Sequence, residues 1–266
     1  MGRATVRSMK ISSITQAIGV RVLARSQSEN PYTARLAQSA EEIRAAQTLR
    51  FLVFNLELNE GLEQSFATCL DVDPFDEVCD HLIVEDRRTR EVVGTYRLQT
   101  GRVAAANRGY YSAQEFDLRP LESLRHEIIE LGRACVHSEH RNLAVLGLLW
   151  KGITVYARER GGRYLIGCSS LTSQDPSVGA RVYSDLCRKH LIAEPWHVAP
   201  LPEVACPLDR LSERPQKVPK LLAAYLSFGA RICGPPAIDR EFKTIDFLTF
   251  MDLEHLSRRT IERYLS

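Results

Sequence analysis

The sequence predicts an α/β (α+β) fold: a mixed central sheet flanked by helices, with a further strand and helix at its C-terminal end. Three features carry this. A serine-capped helix opens at Ser39, two alternating strands meet across Asp86–Glu91, and strands then alternate with helices without a glycine-rich dinucleotide fingerprint. The 266 residues can bury a substantial core, and 44% hydrophobic with 26% charged residues is the balance of a globular chain. The organisation expected is a basic tail over 1–30 and a single domain over 31–266.

Taken in order, residues 8–25 set Ile11, Ile14, Ile18 and Val22 at helical spacing among Lys10, Arg21 and Arg25. That suits a basic amphipathic helix on an anionic membrane surface, or a loosely docked terminal segment. Residues 26–31 read as a linker. Ser39-Ala-Glu-Glu42 is a capping box and starts a helix running from about Ala40 to Asn55. Residues 57–79 are acidic and irregular. Strands are expected at His81–Glu85, Val92–Leu98 and Ile128–Val136, and a helix over 143–160 ended by Gly161-Gly162. Tyr164–Ser169 follows as strand, Asp175–Lys189 and Lys217–Phe228 as helices, Ile245–Met251 as strand, then a terminal helix from about Leu253.

Several function classes are disfavoured. A net charge of +2 does not suit a generic nucleic-acid binder. Seven scattered cysteines without a CxxC pair argue against a disulfide framework or a thiolate zinc site. No apolar run approaches the ~20 residues that span a bilayer. The opening residues lack a secretory layout, and Val6 breaks the myristoylation pattern. These features predict a cytoplasmic protein, peripheral on the inner face of the cytoplasmic membrane if residues 8–25 engage it.

The order helix, hairpin, long strand, loop, helix, strand, helix is that of GNAT acyltransferases. From Arg50 to Val136 the chain resembles the acyl-homoserine-lactone synthases, a GNAT-like family. The matching pieces are Arg50-x-x-x-Phe54, Asp73-Pro-Phe-Asp76, Gly94–Leu98 (GTYRL) and Glu130–Val136 (ELGRACV), with Glu130-x-x-Arg133 inside the last. Over nearly the whole chain it is more similar to bacterial ornithine lipid N-acyltransferases and their hemolysin-annotated relatives. That likeness is best in Tyr32–Leu58 and Ala230–Leu253. The resemblance implies an enzyme with no permanently bound cofactor. Its donor would be a 3-hydroxyacyl group on the 4′-phosphopantetheine of acyl carrier protein, its acceptor ornithine, and its product a lyso-ornithine lipid.

Amide formation requires a neutral amine, so a base must stand near the thioester, and Glu130 is the candidate; its other reading is a buried partner for Arg97 or Arg133. Strict alternation would put Glu130 and Arg133 on opposite faces, and Gly132 between them suggests a bulge that brings both to one side. A backbone amide along Cys135–His137 is the expected oxyanion donor. The loop His137–Asn142 leads to a helix N-terminus suited to the pantetheine phosphate, with Val136, His137, Arg141 and Gly147 as candidate contacts. The usual small residues there are replaced by Ala144 and Leu146, with Gly147 one position late, which favours carrier-bound pantetheine over coenzyme A. Tyr183 is the candidate proton donor to the leaving thiolate, or else a packed helix tyrosine. Arg50, Asp73, Asp76, Arg97, Arg133, Asp239 and Asp246 are candidate substrate contacts. Among them, Asp239 and Asp246, with Glu241, would hold the acceptor's distal ammonium, and Arg97 or Arg133 its carboxylate. His137-x-x-His140 lacks companion ligands, and no metal is expected. Arg141, Lys151, Arg158, Arg160 and Arg163 could steer an acidic carrier protein, or be solvated charge. Three competing readings stand beside this one: an acyltransferase for another amino acid such as glycine, a lactone synthase, and a non-catalytic membrane-interacting protein.

Overall fold

Among the described residues, eight strands form one sheet in the order β1-β2-β3-β4-β5-β8-β6, with β7 also paired to β8. They are β1 (Tyr32–Leu36), β2 (Asp80–Asp86), β3 (Val92–Thr100), β4 (Ile128–Val136), β5 (Tyr164–Leu171), β6 (Arg231–Ile232), β7 (Ala237–Asp239) and β8 (Thr244–Asp252). Four longer helices flank them: α1 (Ala40–Phe51), α2 (Leu143–Glu159), α3 (Pro176–His190) and α4 (Lys220–Phe228). This is a computed structural model, and it describes residues 30–256. The expected segment 8–25 and most of the expected terminal helix lie outside those residues. Leu253–His255 is a single 3-10 turn. Among the described residues no helix is long and apolar enough to cross a membrane.

The helix α1 begins where its cap predicts, with the Ser39 hydroxyl accepting from the Glu42 amide. It does not run as α-helix to Asn55. It widens into a π-helical stretch, Leu52–Glu57, where the Leu58 amide reaches back to the Val53 carbonyl. The strand β1 was not expected. Five residues are too few for alternation to register, and its partner β2 stands far along the chain, in register from Tyr32↔Asp86 to Leu36↔Leu82. The helix α2 follows its apolar spacing: Val145, Leu149, Ile153 and Ala157 are buried against Leu82, Val84 and Leu98 of the sheet. Each such aliphatic side chain contributes about 1.5–3 kcal/mol of burial. A second apolar cluster, with Phe116, Leu121, Ile166 and Phe250, includes the loop after β3.

One irregularity positions the site. The strands β4 and β5 run parallel and pair only from Ile128↔Tyr164 to Glu130↔Ile166. Beyond Glu130, β4 continues along β3 while β5 continues along β8, so the two separate. A bulge bends β4 there: Thr95↔Cys135 and Arg97↔Gly132 oppose three steps of β4 to two of β3. The left-handed residue is Arg133 (φ +50°), the neighbour of the glycine that sequence reasoning singled out. At the fork the backbones nearly touch, since a Cβ on Gly167 would lie 2.3 Å from the Leu131 carbonyl oxygen.

Candidate active site

Glu130 sits at this fork, the last residue of β4 paired to β5. One oxygen accepts from Gln99 Nε2 (2.9 Å) and the Tyr111 amide (2.8 Å), the other from the Ser112 amide (2.8 Å) and hydroxyl (2.7 Å). Gln99 faces it across the β3–β4 ladder, and a 3-10 turn (Tyr111–Gln114) supplies the remaining donors. Four donors hold the buried carboxylate in one orientation. It lines a cavity of about 750 Å³.

Beside it lies a buried network of three arginines and three aspartates. Arg50 donates from Nε to Asp71 (2.8 Å), from Nη1 and Nη2 to the two oxygens of Asp76 (2.9 and 2.7 Å), and to the Asp71 carbonyl. Arg97 donates to Asp73 (2.6 Å) and Asp76 (2.9 Å); Arg133 donates to Asp71 (3.2 Å) and Asp73 (2.7 Å). Burial raises the Asp76 carboxyl, but Arg50 and Arg97 outweigh it and hold it well below the carboxylate range. Burial likewise raises Asp73, and Arg133 with Arg97 bring it below its ordinary value. His81, against the Asp76 carbonyl, is pushed down by burial. The Arg133 guanidinium lies over the rings of Phe242 (4.2 Å) and Tyr111 (4.8 Å).

The network has an inner and an outer part. Arg97 and Arg133 line the cavity, whereas Arg50, Asp73 and Asp76 are not among its lining residues. Those three, expected as substrate contacts, are outside the lining and hold the two lining arginines through the network. Arg97 Nη2 is buried without a hydrogen-bond partner. Asp239 and Asp246 line the cavity with Glu60. Asp239 Oδ1 accepts the amides of Glu241 and Phe242, and the Glu241 side chain is exposed.

The rest of the cavity is largely apolar, formed by Val53 and Phe54 of the π-helical stretch, by Leu58 that caps it, and by Leu131, Leu143 and Leu146. It is continuous with a small cleft between the separated strands, lined by Gly132, Ala134, Gly167 and Ser169. Val136 and Arg141 are lining residues; His137, Gly147 and Tyr183 are not. The His137 amide donates to the Val93 carbonyl (2.9 Å) and is therefore engaged. By the alternation of an antiparallel ladder the Val136 amide turns the other way, toward the side β5 has left. Arg141 is held by Glu57 and the Val136 carbonyl. Asn142 Oδ1 accepts the Ala144 and Val145 amides, both at 3.0 Å, so the N-terminus of α2 is capped by its own side chain. A Cβ at Gly147 would meet nothing within 4 Å, so no contact there demands glycine. Tyr183 packs with the Leu171, Val182 and Leu186 cluster and is paired with Cys187. Two tyrosines do line the cavity, Tyr96 and Tyr111; Tyr96 is bonded to Tyr225 and pushed up to about 12 by burial.

Sequence reasoning missed Gln99, Tyr111, Ser112 and Glu115, all in β3 or in the irregular segment that follows it. It also missed Asp71, which bridges Arg50 and Arg133. Only Asp71 had a signal to follow, as one more acid two residues before Asp73 in the matched motif.

An acetyltransferase (GNAT) domain profile matches residues 49–151, from α1 to the first half of α2. The L-ornithine N(alpha)-acyltransferase of Agrobacterium fabrum (strain C58) is 35% identical over 246 residues, covering 86% of this chain and 84% of that one. Its counterpart in Brucella abortus (strain 2308) is 35% identical, covering 86% and 87%, and that of Rhodobacter capsulatus 32%, covering 88% and 94%. The chain belongs to the L-ornithine N(alpha)-acyltransferase family. It is an N-acyltransferase of GNAT-like fold, as the order of its elements predicts. Among solved structures it is similar to the acyl-homoserine-lactone synthase LasI (TM-score 0.51, 11% identity, 88% of this chain and 94% of that one). FeeM, an N-acyl amino acid synthase from uncultured soil microbes, scores 0.50 at 13% identity, covering 84% and 91%. At such identities the likeness is one of fold. Members of this family act on an acyl donor and an amino acid acceptor.

Proposed function

We propose that the enzyme transfers a (3-hydroxy)fatty acyl group from the 4′-phosphopantetheine thioester of acyl carrier protein to the α-amine of ornithine, giving lyso-ornithine lipid. The observation that carries this is one cavity, lined by Glu130, Arg97 and a long apolar wall, at the fork between β4 and β5. The thioester lies in the fork, its carbonyl oxygen toward the Val136 amide. The acceptor's carboxylate pairs with Arg97, and its α-nitrogen faces Glu130. The C–N bond forms as the C–S bond breaks; Glu130 receives the amine proton, and the carrier thiolate leaves to be protonated. A carboxylate has about four lone-pair positions, and all are taken here. Gln99 Nε2, shared between Glu130 and the Gly109 carbonyl, is the donor placed to swing aside.

Carrier protein is favoured over coenzyme A because the Asn142 carboxamide occupies amides that a pyrophosphate would otherwise use. The apolar product and the basic segment 8–25 suggest work at the inner face of the cytoplasmic membrane. The test is purified enzyme with 3-hydroxyacyl carrier protein, 3-hydroxyacyl-coenzyme A and a panel of amino acids, with products read by mass spectrometry. Ornithine acylated from carrier protein is the expected result. Preference for glycine, or lactone formation, would replace this reading. Deleting residues 1–28 should release the enzyme from anionic vesicles while sparing turnover of soluble substrates.

A further inference from the structure

Glu115 and Asp246 are two further buried carboxylates outside the charge network. They are 5% and 4% exposed, and with Cys168 they place one ligating atom each within 4.8 Å of the others. Glu115 Oε2 and Asp246 Oδ1 have no hydrogen-bond partner, and among the described residues neither carboxylate has a cationic side chain in salt-bridge contact. Asp71, Asp73 and Asp76, equally deep, each have an arginine. Unpaired buried acids destabilise a fold unless something cationic meets them. Asp246 and Cys168 open onto the cavity alongside Asp239 and Glu60. Glu115 follows the same 3-10 turn whose Tyr111 and Ser112 amides hold Glu130, and its own amide donates to the Ser112 carbonyl (3.2 Å).

We propose that Glu115 and Asp246, with Cys168, form the subsite that receives the distal ammonium of a dibasic amino acid acceptor and selects it over neutral amino acids. This rests on the acceptor reading given above. An ammonium brings one positive charge and three N–H donors to two vacant carboxylate oxygens, and it needs no ligand exchange to enter from the cavity. The cavity is thereby lined by opposite charge at two places: Arg97 for the carboxylate, and Asp246 with Cys168, backed by Glu115 just outside the lining, for the far end of the side chain. The turn Tyr111–Gln114 links the two, because it braces Glu130 and leads directly into Glu115. Burial, then the charges of Asp246 and Asp239, push Glu115 well above its ordinary value; burial and Asp239 lift Asp246 to about 6.

The experiment compares kcat/KM for L-ornithine and L-norvaline, which has the same carbon skeleton without the δ-amine, in wild type and in the Asp246→Asn and Glu115→Gln variants. Wild type should prefer ornithine by roughly 100-fold or more, because a site built for a polar group discriminates strongly against its absence. Both variants should lose most of that preference while keeping norvaline turnover, which also certifies their fold. Wild type acylating norvaline as well as ornithine would overturn the proposal without reference to any variant. So would variants that keep the wild-type ratio. Loss of the ornithine preference on EDTA treatment would reassign the trio to a metal ion and overturn it as well. Wild type that acylates no amino acid at all would remove the acceptor reading itself, a distinguishable result.

Discussion

Ser112 donates twice to one oxygen of Glu130, through its amide at 2.8 Å and its hydroxyl at 2.7 Å. That carboxylate is therefore both a candidate base and the anchor of the loop beside it, and the two roles separate by measurement. Glu130→Gln should lower kcat for acyl transfer ~10²–10⁴-fold, the usual worth of a positioned base. It should also lower the thermal midpoint, since an amide nitrogen would face donors. Ser112→Ala should lower the midpoint too but leave most of kcat. Equal losses of kcat in both variants would make the loop, and not proton transfer, the reason.

Arg50 is wholly buried, and its four hydrogen bonds go to Asp71 and Asp76. Arg50→Met leaves two buried carboxylates short of a cation, and should cost ~3–5 kcal/mol in urea unfolding. Because Arg50 does not line the cavity, whatever folds should keep its acceptor KM within a few fold.

The two acids of the distal pocket give a pH signature. A neutral Asp246 cannot hold an ammonium, so ornithine kcat/KM should rise as pH climbs through about 6, and the norvaline profile should lack that limb. Glu115 and Cys168 lie against it, Glu60, Asp239 and Glu130 line the same cavity, and the cations of that lining are Arg97, Arg133, Arg141 and Lys220. Using both substrates cancels the titration of the α-amine they share. Stability runs the opposite way: a carboxyl raised on folding stabilises at low pH and loses that contribution as pH rises from about 4 to about 6. Asp246→Asn should thus stabilise the apo-enzyme by about 1–3 kcal/mol at pH 8 and hardly at all at pH 4.

Two glycines at the fork should behave differently. Gly132→Ala meets nothing within 4 Å and should be tolerated, with activity within about twofold of wild type. Gly167→Ala would press a methyl group against the Leu131 carbonyl at 2.3 Å and should prise the strands apart below Glu130. Loss of soluble protein, or loss of activity in what remains soluble, is the expected readout.

Tyr183 lies off the cavity, against Cys187. Tyr183→Phe should therefore keep kcat within about twofold, whereas Tyr96→Phe, at the cavity wall, should alter donor KM or kcat more.

What the sequence made legible tracks how local the signal was. The helix α2 has seventeen residues of sustained periodicity and a Gly-Gly stop, and its ends fall where they were expected. β4 was read from Ile128 to Val136 and lies there. The bulge was foreseen from Gly132, but the strained backbone went to Arg133, because which residue of a bulge turns left-handed depends on the partner strand. Tyr183 was chosen by its place on a helix, and the helix face it occupies turns toward another cluster. The turn carrying Tyr111, Ser112 and Glu115 has no periodicity of its own. It becomes meaningful only when folding sets it against Glu130 and Asp246, more than a hundred positions apart in the chain.

Three guanidinium groups and three carboxylates interlock beneath the cavity, and their charges cancel. Losing any one member would strand an ion in the interior, so single substitutions there are nearly closed to neutral drift. A tolerated replacement would have to arrive together with its opposite number, which leaves variation in substrate preference to the cavity's other walls.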